Sequence, residues 1–169
     1  LTINDTTVTK FERNKLINKI FGNSIKKNFK VSDINFVEND YKVETNASHN
    51  GYEKNFGCIY KRKISIDKST GNLSGIDEIL KKADGKPIDY SLRFHLYPGL
   101  VAVKTMSGNS VLIKLTKNKS LIFTVNKEIA VLEKSIFLGS NKILDNTCIT
   151  VSGNLVNTNR IIHWEIKKN

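Results

Sequence analysis

Alternation with a period of two residues is what most restricts this chain. Tyr41-Lys-Val43-Glu-Thr45-Asn-Ala47 alternates cleanly. A run of that kind buries one face only as a β-strand, because successive side chains point to opposite sides of a pleated sheet. Short β-like runs punctuated by Gly, Asn, Asp and Ser follow one another from about residue 29 to the end, and helical periodicity is poor. Cys58-Ile-Tyr-Lys-Arg-Lys-Ile-Ser-Ile66 leads into the turn Asp67-Lys-Ser-Thr-Gly71. In Tyr90-Ser-Leu-Arg-Phe-His-Leu-Tyr-Pro-Gly99, Tyr90, Leu92, Phe94 and Leu96 take one face and Ser91, Arg93 and His95 the other. Pro98-Gly99 stops that strand.

Two hairpins are predicted next. Leu100–Met106 and Ser110–Thr116 flank Ser107-Gly-Asn109, and Leu121–Val125 and Ile129–Leu132 flank Asn126-Lys-Glu128. Strands at Cys148–Ser152 and Arg160–Ile166 close the chain, with Ile162, Trp164 and Ile166 assigned to the core. Val8–Lys19 reads as an irregular loop or short helix, and Ile76–Lys82 as one helical turn or more. Many short strands with turn signals every ~8–12 residues predict an all-β fold, a two-layer antiparallel β-sandwich of jelly-roll-like or supersandwich-like form. Without repeat, linker or low-complexity tract, one domain over residues 1–169 is expected. The chain opens on Leu1-Thr-Ile3 rather than Met, so a piece of a longer protein is expected.

A net charge of +11 and pI near 9.6 favour an acidic partner such as nucleic acid, anionic polysaccharide or a membrane surface. A Lys- and Asn-rich composition from base-composition drift accounts for the charge equally well. Arg is scarce, at Arg13, Arg62, Arg93 and Arg160. Guanidinium forks onto carboxylate or sulfate in a way that Lys cannot copy. No apolar run approaches the ~20 residues of a membrane helix. Cys58 and Cys148 lie in separate strands without metal-type spacing, and buried free thiols are expected over a pair, with one bridge left open.

His49 ends the Tyr41 strand within Ser48-His-Asn-Gly-Tyr52. A His beside Tyr52 suits acid/base work or sugar contact, while Asn50-Gly51 equally suits a plain turn with a hydrogen-bonded His. In Tyr60-Lys-Arg-Lys63, Tyr60 and Arg62 share a mostly apolar face, so Arg62 is expected at the sheet rim or paired. Arg93 and His95 form either a polar outer sheet face or a groove wall for an acidic sugar. Asp77-Glu78 point apart on a strand and are read as surface residues. The spacings of His49, His95 and His163 match no metal motif, and no nucleophile or phosphate-loop pattern is present. Nucleic-acid binding ranks last, since basic residues lack aromatic interleaving.

Three ordered segments resemble one family. Ser48-His-Asn-Gly-Tyr52, Phe56-Gly57 and Tyr60-Lys-Arg-Lys63 resemble its "SHDGY…FG…HRR" pattern, with Tyr60 where the family usually has His. Ser91–Gly99 resembles "IRFHLHPG", and Leu1-Thr-Ile-Asn-Asp5 resembles the strand after "HNT" in "HNTVTIDG". Together with Phe137-Leu-Gly139 and Ile162-His-Trp164, the chain resembles the C-terminal β domain of bacterial heparinase II/III-like polysaccharide lyases. That resemblance implies a sandwich following an α/α toroid, acting on uronate-containing polysaccharide by β-elimination. It implies that the main catalytic groups, and the ligands of a divalent metal such as zinc, lie upstream in segments absent here, so this chain alone is expected to be inactive and cofactor-free. Its expected partners are an anionic polysaccharide and the toroid, with no membrane, and its expected location is the periplasm or cell envelope. His49 is the candidate catalytic residue, and Tyr52, Arg62, Arg93 and His95 are the candidate substrate contacts along one cleft. The alternative is a non-catalytic carbohydrate-binding or interdomain-docking sandwich.

Overall fold

A computed structural model describes residues 1–22, 25–26, 29–82, 86–139 and 142–169. The chain runs β1 (Thr2–Ile3), β2 (Lys10–Phe11), α1 (Lys15–Phe21), β3 (Ile25–Lys26), β4 (Val31–Glu38), β5 (Lys42–His49), α2 (Glu53–Phe56), β6 (Cys58–Asp67) and β7 (Leu73–Lys81). It continues with β8 (Ile88–His95), β9 (Val101–Lys104), β10 (Ser110–Thr116), β11 (Lys119–Val125), β12 (Ala130–Gly139), β13 (Lys142–Leu155) and β14 (Arg160–Lys168). A four-stranded sheet β1-β8-β13-β12 faces an eight-stranded sheet β4-β5-β6-β7-β14-β11-β10-β9, and β2 pairs with β3. The paired strands are antiparallel, as the alternation predicts.

Parity decides what is buried. Along β8, Ile88, Tyr90 and Leu92 face the other layer and are buried, while Asp89, Ser91 and Arg93 face out. The facing sheet contributes Tyr60, Ile79, Phe123, Val125, Ile162 and Trp164 to one shared core. Phe94 joins the layers, its ring centroid 4.9 Å from Phe123 and 5.0 Å from Trp164. Trp164 lies opposite Gly75 in the β7–β14 ladder. A Cβ on Gly75 would stand 2.1 Å from the indole Cζ2, so only glycine leaves room for the ring.

Three expectations are corrected and one open alternative is decided. Ile76–Lys82 is not helical, because nearly all of it lies in β7 between β6 and β14. Helix α1 does form within the stretch left open near Val8–Lys19, capped by the Asn14 side chain. β11 and β12 make no hairpin: β11 pairs with β10 and β14, β12 with β13, and Asn126–Ile129 crosses between the layers. Val125 and Ala130 are both buried, and they belong to opposite sheets, so core packing overrides the local turn signal. Finally, Asp77 is not a surface residue but is fully buried. Its neighbour Glu78 does point the other way.

Four strands cannot cover eight. The inner side of the β4 edge stays open, with Val31 and Phe36 exposed although they pair with the inward-facing His49 and Thr45. Leu1, just before β1, reaches this strip, its carbonyl accepting the Tyr52 hydroxyl at 2.9 Å.

Candidate functional site

Along the strip, β5 and β6 place His49 opposite Tyr60 and Ala47 opposite Arg62. Inward parity therefore puts His49, Tyr60 and Arg62 side by side. His49 is half-buried in a ring cluster, its centroid 5.3 Å from Tyr60, 5.7 Å from Tyr52 and 5.7 Å from Phe29. Its Nδ1 accepts the Gly51 N–H at 3.2 Å, within the turn that Asn50-Gly51 predicts. Burial pushes the imidazole pKa below its ordinary value. The neutral ring then carries its proton on Nε2, as a donor. Gly51 is required here, since a Cβ would stand 2.1 Å from Val8 Cγ1. Tyr52 is buried and donates its hydroxyl to the Leu1 carbonyl at 2.9 Å, and burial pushes its pKa up to about 12. It shapes the site from beneath.

Behind the strip stands Asp77, from β7. Arg62 donates to it from Nε at 2.6 Å and from Nη2 at 3.2 Å. Trp164 Nε1 donates at 2.7 Å, and the Tyr60 hydroxyl donates as well. Burial first, and then the Asp77 charge, push the Tyr60 pKa upward, so Tyr60 keeps its proton. The Arg62 guanidinium carbon lies 5.8 Å from the ring centroids of both Tyr60 and Phe94, and about a third of its side chain (32%) is exposed. Arg62 is thus both paired and at the rim. A buried carboxylate with one ionic and two neutral donors is compensated in the way buried charge requires.

The five expected site residues do not form one cleft. His49, Tyr52 and Arg62 come together on the inner strip, whereas Arg93 and His95 point from β8 to the outer face of the small sheet. Arg93 donates to Thr2 Oγ1 at 2.6 Å and reaches Asp5 at 3.4 Å, tying β1 to β8. His95 Nδ1 lies 3.0 Å from Ser135 Oγ. Sequence reasoning missed Asp77 and the hydrogen-bonding role of Trp164. In β7 both parities carry apolar residues, Ile76 and Leu80 outward against Ile79 inward, so the sequence has no phase from which to place Asp77.

Cys58 and Cys148 are buried free thiols, and burial pushes Cys58 up to about 11. Among the described residues no group of three or more His, Cys, Asp or Glu could hold a metal. His49, His95 and His163 lie on three separate strands, β5, β8 and β14, and do not together fit the metal that the resemblance implies. No helix among the described residues is long and apolar enough to cross a membrane.

The family model described as Heparinase II/III-like, C-terminal, matches residues 1–165. Among solved structures, the heparan sulfate lyase HepC from Pedobacter heparinus superposes with a TM-score of 0.69 at 11% identity, over 82% of this chain and 22% of that one. A structure titled heparinase III gives a TM-score of 0.59 at 15% identity, over 83% of this chain and 21% of that one. At such identities the likeness is one of fold. This chain spans about a fifth of the length of those solved relatives (22% and 21%). Among curated proteins none matches.

Proposed function

The chain belongs to the heparinase II/III-like C-terminal family, and from that premise we propose that it is the β-sandwich wall of a lyase cleaving uronate-containing polysaccharide by β-elimination. The observation that carries this reading is the strip on the uncovered inner face, where the His49 Nε2–H and the Arg62 guanidinium lie on neighbouring strands. In β-elimination a base removes the proton α to the uronate carboxylate, the carboxylate charge is neutralised, and the glycosidic oxygen leaves. Arg62 and His49 are both donors, suited to holding that carboxylate. With Nδ1 occupied, His49 is a poor base, so the proton-abstracting group belongs to a preceding toroid domain. Tyr52 positions the His49 ring.

The exposed apolar side chains Phe11, Leu16, Ile20, Phe21 and Phe36 favour a docking role as well, with the toroid as partner. Periplasm or cell envelope is the compartment this reading assigns. The test is the absorbance of unsaturated uronate product when full-length protein is incubated with acidic polysaccharides. Product is expected from the full-length protein and none from the 169-residue chain alone. No product from full-length protein on any uronate polysaccharide contradicts the lyase reading.

A further inference from the structure

Resting on that cleft reading, we propose that Asp77 is its positioning residue: its buried carboxylate, held by Tyr60 and Trp164, sets the Arg62 guanidinium so that the free Nη1 corner meets the anionic group of a sugar. The acceptor is assembled from three adjacent strands, with Asp77 on β7, Tyr60 and Arg62 on β6 and Trp164 on β14. Asp77 takes the Nε–Nη2 edge of the guanidinium. In a planar fork that edge points away from Nη1, and Nη1 has no hydrogen bond within the chain among the described residues. The Tyr60 and Phe94 rings flank the guanidinium, each centroid 5.8 Å from its central carbon. Asp77 itself is wholly shielded, while Arg62 is not. The pair therefore stands as a dipole with its positive end outward. Tyr60 also packs beside the His49 ring, at 5.3 Å between centroids.

The experiment is steady-state kinetics of the full-length protein on a uronate polysaccharide, with Asp77→Asn, Arg62→Ala and the double variant. Each single change is expected to raise KM on the order of tenfold, the scale of one lost charge-assisted hydrogen bond, with kcat little changed. The double variant is expected to match Arg62→Ala, because Asp77 acts only through Arg62. Asp77→Asn with a wild-type KM, or a double variant whose rise is the product of the singles, overturns the positioning role. Should Asp77→Asn fail to fold, Arg62→Lys decides: it keeps the charge but cannot fork onto Asp77, and a wild-type KM there also overturns it. If Arg62→Ala itself has a wild-type KM, the cleft reading fails first. If Arg62→Ala raises KM and Asp77→Asn does not, only the positioning role falls.

Discussion

At the scale of single residues, Asp77 holds the most consequence. Removing its carboxylate leaves the Tyr60 and Trp164 donors buried without an acceptor, at about 1–3 kcal/mol each, while the partly exposed Arg62 keeps some hydration. Asp77→Ala is therefore expected to lower the urea midpoint severely, and a wild-type midpoint would refute its structural weight. Gly75→Ala drives a methyl into the Trp164 ring, for an expected loss of about 1–3 kcal/mol in the same assay. His49 yields a pH effect. Its folded pKa lies below the ordinary value of 6.5, so between the two values the unfolded chain holds a proton that the folded chain lacks. Its contribution is complete above about pH 6.5 and is lost as pH falls towards the folded value. Urea titrations at about pH 5 and about pH 7 are expected to give a smaller difference for His49→Gln than for wild type. An equal difference contradicts the burial of that ring.

At the scale of elements, what could be read in the sequence followed from one-sided burial. β8 and β14 were legible because one parity is apolar and the other polar, and the Pro98-Gly99 stop is local chemistry. The strand nature of β7 was obscured because Ile76, Ile79 and Leu80 populate both faces. The exchange of β11 and β12 between layers was hidden for a different reason: a turn signal reports a reversal but not the sheet that receives the next strand. Of the site, the neighbourhood of His49, Tyr52 and Arg62 was legible from parity, while the separation of Arg93 and His95 from it depends on which sheet each strand joins. The excursion through β2, α1 and β3 buries no residue of α1. Changing Leu16, Ile20 and Phe21 together to Ser is expected to leave the melting temperature of this chain nearly unchanged, since no core area is lost. A large drop would mean that α1 packs on the sandwich after all.

At the scale of the whole molecule, an eight-stranded sheet faces a four-stranded one, and the mismatch leaves an inner strip that the small sheet does not cover. The sandwich needs its core residues there only as far as Tyr60 and Asp77. Beyond them the edge of the His49 ring and the partly exposed Arg62 guanidinium border the strip, and a row of donors there is what the proposed acidic sugar would meet. The most direct test is the kcat/KM of full-length His49→Ala and Arg62→Ala on a uronate polysaccharide, with His163→Ala on the outer face of the large sheet as control. Both strip variants are expected to fall on the order of tenfold or more, the cost of one lost donor to a charged group, with the control unchanged. Wild-type kcat/KM in both strip variants would contradict the assignment of this strip to the substrate.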